Sequence, residues 1–230
     1  QLIGLGFTQD ESSRQVYDGA WPIIAGKRIS LNVRFSMPDG AQKLYESGGE
    51  GAQWWGDWPD PVRGLPTRGI LDRCIVTRTC PKVVENYGSA EAWALNLSPA
   101  LVGTSADKDI PLPANVRRYY IPSTAHGGGR GGFSVTPEAA PACPGPNFGT
   151  GMLPGNPVPH TETANALRFH LRNWVMKDMA PAASKYPTLA GGFLVDPTKE
   201  AIGFPTIPGL PATAPTGLIN AGLDYDWGPD

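Results

Sequence analysis

The sequence predicts an α/β fold built on parallel strands, and two observations carry that expectation. Short apolar runs bounded by Gly, Pro or polar turns recur at 16–26, 82–87 and 115–121, as expected of strands covered on both faces. Helical segments stand between and after them, and strands alternating with helices imply βαβ units. A buried parallel sheet of three strands is thin, so further strands are expected from outside these residues.

Each element has its own local reason. Residues 1–14 read as the tail of a helix or a loop following one. The run Val16-Tyr17-Asp18-Gly19-Ala20-Trp21-Pro22-Ile23-Ile24-Ala25-Gly26 is apolar between glycines. Residues 27–66 hold Trp54, Trp55 and Trp58 with many Gly and Pro and no clean period, which predicts an irregular excursion. A short helix is expected within Thr67–Thr79, ended by Pro81. Lys82–Tyr87 reads as a second strand, and a helix opens at Ser89 as N-cap with Glu91 in its first turn. Asn115–Ile121 is the third strand, stopped by Pro122 and followed by Ser123-Thr124-Ala125-His126-Gly127-Gly128-Gly129. Residues 130–159 lack a period. Thr161–Met179 is the clearest helix, with Ala164, Leu167, Leu171, Trp174 and Val175 on one face and Thr161 as N-cap. The proline-rich tail over 180–230 is expected to wrap over the body.

Composition narrows the function classes. Of 230 residues, 40% are hydrophobic and 17% charged, and the net charge is −2. With no basic run, nothing points to nucleic acid, and no apolar stretch approaches the length of a membrane span. Glycine (29) and proline (25) make nearly a quarter of the chain, but seven each of Trp, Tyr and Phe argue for a folded, loop-rich protein. The start at Gln1 rather than Met fits a processed secreted protein or a clipped fragment. Cys74 and Cys80 suit either a small disulfide loop or a pair of buried thiols, and an oxidising compartment would favour the bridge. Cys143 is left over, and the cysteine spacings do not suit zinc.

Three histidines are present. His126 sits on a glycine turn directly after a strand, and functional groups in parallel sheets gather at the carboxyl ends of strands. The alternative is a loop histidine that bonds its own turn. His170 lies on a helix flank and His160 beside a helix cap, and neither has metal-ligand spacing. Glu91 follows the preceding strand. A nucleophile–acid–histidine order, with the acid orienting the imidazole, fits Glu91 and His126; the alternative for Glu91 is a carboxylate that complements the helix dipole. Glu85, Asp72 and Asp107 compete as acids. There is no Gly-x-Ser-x-Gly, and Ser134 lacks the second glycine and the strand-to-helix turn. Trp54, Trp55 and Trp58 either line a substrate pocket or anchor an insert to the body.

The stretches Gly6-Phe7-Thr8-Gln9-Asp10-Glu11, Arg14–Pro22, Ala25-Gly26 and Asn32-Val33-Arg34-Phe35 resemble segments of a family of α/β-hydrolase domain-containing proteins regarded as serine esterases. Leu71–Cys74, Pro81-Lys82-Val83 and Ser89-Ala90-Glu91-Ala92-Trp93 look like its Ser-x-Glu-Tyr-Trp region. Pro111–Arg117 and Thr124-Ala125-His126-Gly127 look like its histidine region. Asn156-Pro157, Leu171–Trp174, Tyr186-Pro187, Leu194-Val195, Pro197 and Phe204–Gly209 follow in order. The resemblance implies that these residues are the C-terminal part of an α/β-hydrolase fold, with the last three parallel strands, a Trp-rich cap or lid over 27–66 and a wrapping tail. It implies His126 as the triad histidine and Glu91 as its acid, with the serine elbow shortly upstream of Gln1. Ala92 stands where the family tends to have Tyr, which alters that wall of the pocket. The expected activity is carboxylic-ester hydrolysis of a small-molecule ester, with no cofactor, completed by the N-terminal half of the same protein. The alternative is an inactive hydrolase-fold module that binds carbohydrate through the Trp cluster. The family and the possible Cys74–Cys80 bridge lean towards a secreted or periplasmic location.

Overall fold

The computed structural model describes residues 2–25, 54–61, 67–93, 97–129, 131–132, 156–196 and 198–209. Most of the 27–66 insert, Ser134, Cys143 and the tail beyond 209 lie outside the described residues. The architecture is α/β. Three parallel strands, β1 (Gly19–Ala20), β2 (Lys82–Gly88) and β3 (Val116–Ile121), form a sheet in the order β1-β2-β3. Among the described residues four helices accompany them: α1 (Asp72–Thr77), α2 (Ser89–Trp93), α3 (Pro99–Val102) and α4 (Thr161–Lys177).

The continuous apolar reading of β2 follows from cover on both sides, since every residue from Val83 to Gly88 is buried. On one face Val84 packs with Leu167 and Trp174 of α4, with Trp21, Tyr119 and Leu171 at the margin. On the other, Val83 and Val116 join Trp55, Ile70, Leu71 and Cys74, while Tyr87 joins Leu97 and Ala100–Val102. Burying each such Val or Leu side chain contributes about 1.5–3 kcal/mol.

The first strand is much shorter than its apolar run. Only Gly19 and Ala20 pair continuously with β2, followed by an isolated bridge from Ile23 to Asn86. Pro22 has no N–H to give to a ladder, and Ile24 turns to φ 44°, so regular pairing stops there. Its Trp21 side chain still reaches across, donating from Nε1 to Asn86 Oδ1 at 2.9 Å.

The helix ends also differ from expectation. Helix α1 stops at Arg78, a left-handed residue whose N–H closes on Cys74 and Ile75 carbonyls. Cys74 and Cys80 form a disulfide that ties this helix to the chain entering β2. Thr161 lies inside α4, and the N-cap position is held by His160, which makes no side-chain capping bond. Ser89 likewise lies inside α2 rather than capping it. At the far end of α4, Lys82 Nζ bonds the Trp174 carbonyl at 2.7 Å and the Asp178 carboxylate at 2.6 Å, pinning the helix to the start of β2.

The outer edge of β3 is closed by residues 182–186. Lys185 N donates to Arg118 O at 2.9 Å, Tyr120 N donates to Lys185 O at 2.8 Å, and Arg118 N donates to Ser184 Oγ at 3.0 Å. Tyr186, Leu189 and Leu194 then pack against the Tyr87 cluster.

Candidate active site at the carboxyl ends of the strands

Strands β2 and β3 run parallel in the register Glu85↔Arg118 to Gly88↔Ile121. The segments that leave their carboxyl ends therefore emerge side by side. From β2 the chain turns at once into α2, which carries Glu91; from β3 it enters the turn that carries His126. The two side chains meet, with His126 Nδ1 lying 2.6 Å from Glu91 Oε1.

The surroundings fix each partner. Glu91 is fully buried, and its second oxygen, Oε2, accepts the Gly88 N–H at 2.6 Å. Both carboxylate oxygens are thus partnered, which a buried carboxylate requires. His126 is 67% exposed at its side chain, so the imidazole is held on one side and open on the other. With Nδ1 at Glu91, Nε2 faces outward, the orientation a carboxylate imposes on a histidine that works as a base.

Local packing sets this meeting. Thr124 is buried against Gly88, where an added Cβ would lie 2.1 Å from Thr124 Oγ1. Only glycine permits that approach. Thr124 Oγ1 donates to Ile121 O at 2.9 Å, and Thr124 O accepts the Ala90 N–H at 3.3 Å. Ser89 Oγ accepts the Ser123 N–H at 2.7 Å and lies 2.8 Å from Tyr120 Oη. The turn after β3 is therefore stitched to the α2 turn two residues before His126. The contacts of Gly88 and Ser89 with Ser123 and Thr124 escaped sequence reasoning, because contacts between residues about 35 apart leave no periodic trace.

The rival acids are occupied elsewhere. Glu85 forms a buried ion pair with Arg118 Nε and accepts Trp55 Nε1 at 2.8 Å. Asp107 accepts the nearby Ser105 hydroxyl at 2.9 Å, and Asp72 opens α1. Among the described residues no serine or cysteine is hydrogen-bonded to the His126 imidazole. No group of three His, Cys, Asp or Glu side chains among them is arranged to hold a metal ion, and no helix among them is long and apolar enough to cross a membrane.

The tryptophans do not form an open recognition surface. Trp54 and Trp55 are 3% and 4% exposed, with Trp55 inside the core beside Leu71 and Val83. Their carbonyls accept the Ile70 and Leu71 N–H groups, so they fasten this part of the insert to the body. Trp58 is half-buried, packed over Gly103 and carrying the Lys108 ammonium 5.1 Å from its ring. Of the two roles the sequence leaves open for the cluster, the burial of Trp54 and Trp55 fits the anchor.

Beside the site, burial pushes the Tyr87 phenol far above its ordinary range, with the Arg118 charge pulling the other way. Burial also raises Tyr186, again opposed by Arg118. Both belong to the packed core behind the strands rather than to the open edge.

No curated protein and no solved structure matches the chain. The model of a family described as "alpha/beta hydrolase domain" matches residues 5–208, a span that contains β1 to β3, Glu91 and His126. Parallel strands with flanking helices and that match agree: the chain belongs to the α/β hydrolase domain family, whose fold suggests hydrolase chemistry.

Proposed function

We propose that this hydrolase domain is a serine-type carboxylic-ester hydrolase, in which His126 is the triad base, Glu91 its acid, and the serine precedes Gln1 in the encoded protein. The observation that carries the reading is the 2.6 Å contact between His126 Nδ1 and the buried Glu91, in the chain order that hydrolases of this fold use for acid and histidine. The exposure of the imidazole's other side supports a nucleophile approaching from outside the described residues.

The chemistry follows. His126 Nε2 takes the serine hydroxyl proton as the serine oxygen bonds to the ester carbonyl carbon. It then returns that proton to the leaving alkoxide as the carbon–oxygen bond breaks, leaving an acyl-enzyme. Water attacks the acyl carbon by the same route and releases the carboxylic acid, so the net change is ester plus water to acid plus alcohol. Glu91 keeps the proton of neutral His126 on Nδ1 and stabilises the imidazolium that forms. The oxyanion donors belong with the nucleophile and an earlier loop. The Cys74–Cys80 bridge supports export to an oxidising compartment.

A serine-directed fluorophosphonate tests the reading. Residues 1–230 alone should not be labelled and should not turn over simple esters. Joined to the segment that precedes Gln1, the protein should be labelled, and His126→Ala should lower labelling and turnover by about 10³-fold or more. Unchanged turnover in His126→Ala, or no labelling of the joined protein, would refute it.

A further inference from the structure

The turn that carries His126 is held from two sides, and only one of them belongs to β2 and α2. Behind it, residues 156–160 run along the glycines as a strap before entering α4. Asn156 Nδ2 donates to Ser123 O at 2.6 Å, and Asn156 Oδ1 accepts the Val158 N–H at 3.0 Å. Gly129 N donates to Val158 O at 2.7 Å, and Gly131 N donates to Pro157 O at 2.8 Å. The fit leaves no space for a side chain. A Cβ on Gly129 would lie 2.2 Å from the Pro157 carbonyl carbon, and one on Gly128, at φ +67°, 2.6 Å from the His160 ring.

The strap has a firm base. His160 occupies the N-cap position of α4, and α4 is packed onto β2 through Leu167 and Trp174. Among the described residues Asn156 is the one side chain that ties this base to the start of the histidine turn by a hydrogen bond, because one amide bonds both Ser123 and its own strap. His126 lies between Ser123 and the clamped glycines. A shift of the strap therefore moves the imidazole relative to Glu91, which is anchored separately at Gly88.

From this we infer that Asn156 is a positioning residue that holds His126 in register with Glu91, with the Gly128–Gly129 turn as the surface on which the strap bears. The assignment extends the proposed triad but is readable without catalysis. An imidazole N–H donated to a carboxylate gives a far-downfield proton resonance, which fades as the N–H exchanges with water.

The experiment is proton NMR on residues 1–230, with the signal assigned by its loss in His126→Gln and in Glu91→Gln. Asn156→Ala should broaden or abolish it, or speed its solvent exchange by roughly tenfold, the factor set by losing about one ordinary hydrogen bond. Asn156→Asp keeps the acceptor for Val158 N–H but sets a carboxylate oxygen against Ser123 O in place of the donor, and should speed exchange at least as much as Asn156→Ala. Gly129→Ala should act in the same direction as Asn156→Ala by wedging the strap outward. Near-UV circular dichroism identifies any variant that has lost its fold, and the Asn156 variant that keeps the parent's spectrum then decides.

In the joined enzyme Asn156→Ala should lower kcat by roughly tenfold with KM within about twofold. A parent without the resonance, or Asn156 variants that keep it with unchanged exchange, would overturn the inference. Failure of the joined protein to react with fluorophosphonate would sink the esterase reading while leaving the NMR result standing.

Discussion

Replacing Gly88 by Ala tests how the site is assembled. The new methyl would lie 2.1 Å from Thr124 Oγ1 and 3.3 Å from both Thr124 Cβ and Thr124 O, where ordinary contact begins near 3.4 Å. Thr124 must therefore retreat by about 1.3 Å or turn away from Ile121 O, the difference between those two distances. It is β-branched and buried, so it turns with difficulty. Overpacking of this kind costs about 1–3 kcal/mol, and if His126 is the base proposed above, a displacement near 1 Å there costs roughly 10²-fold in rate. Gly88 is not among the glycines at positive φ, so the effect comes from the contact and not from backbone strain. Urea unfolding of residues 1–230 measures the first effect, and labelling of the joined enzyme measures the second. The double variant Gly88→Ala/Thr124→Ala removes the clashing oxygen and should recover at least about 1 kcal/mol relative to the sum of the single changes. Additive single effects, or a Gly88→Ala protein as stable as the parent, would refute the packing argument.

Arg118→Met should destabilise by about 3–5 kcal/mol, because it removes the buried cation that pairs with the Glu85 carboxylate, and the urea midpoint reads the loss directly; a change below about 1 kcal/mol would show that the pair does not hold the strands together. Tyr87→Phe should leave stability unchanged or raise it by up to about 1 kcal/mol, since the buried Tyr87 hydroxyl has no hydrogen-bond partner among the described residues. It should also extend the alkaline limb. Burial raises the folded Tyr87 pKa above the ordinary value near 10, so its contribution is present below that pH and fades as pH climbs and the unfolded phenol ionises. A pH series of thermal melts from pH 8 to 11 would check the sign.

The sequence carried more of the frame than of the joints. Strands β2 and β3 were legible because cover on both faces makes a continuous apolar run, and α4 because its apolar positions recur at helical spacing. The first strand was overdrawn: hydrophobicity around Trp21 does not reveal that Pro22 and the turned Ile24 end the pairing. The caps were misplaced by one residue at both Ser89 and Thr161, since N-cap preference identifies a residue type more sharply than a position. The meeting of Glu91 and His126 is legible from their places after adjacent parallel strands. Their supports are not. Gly88, Thr124 and Asn156 act across gaps of tens of residues, and nothing in composition or spacing links them. The tryptophans mislead because large aromatic side chains serve interiors and binding surfaces equally well.

The sealing of β3 by Ser184 and Lys185 has a consequence for assembly. Backbone groups that would otherwise invite another strand are already consumed there, so the histidine flank resists edge-to-edge association with other molecules. The opposite flank differs, since among the described residues β1 pairs only with β2. Among the described residues the sheet is thus a ribbon hemmed on one border: widening, by the same polypeptide or another, has its open side beside Gly19 and Ala20, away from β3.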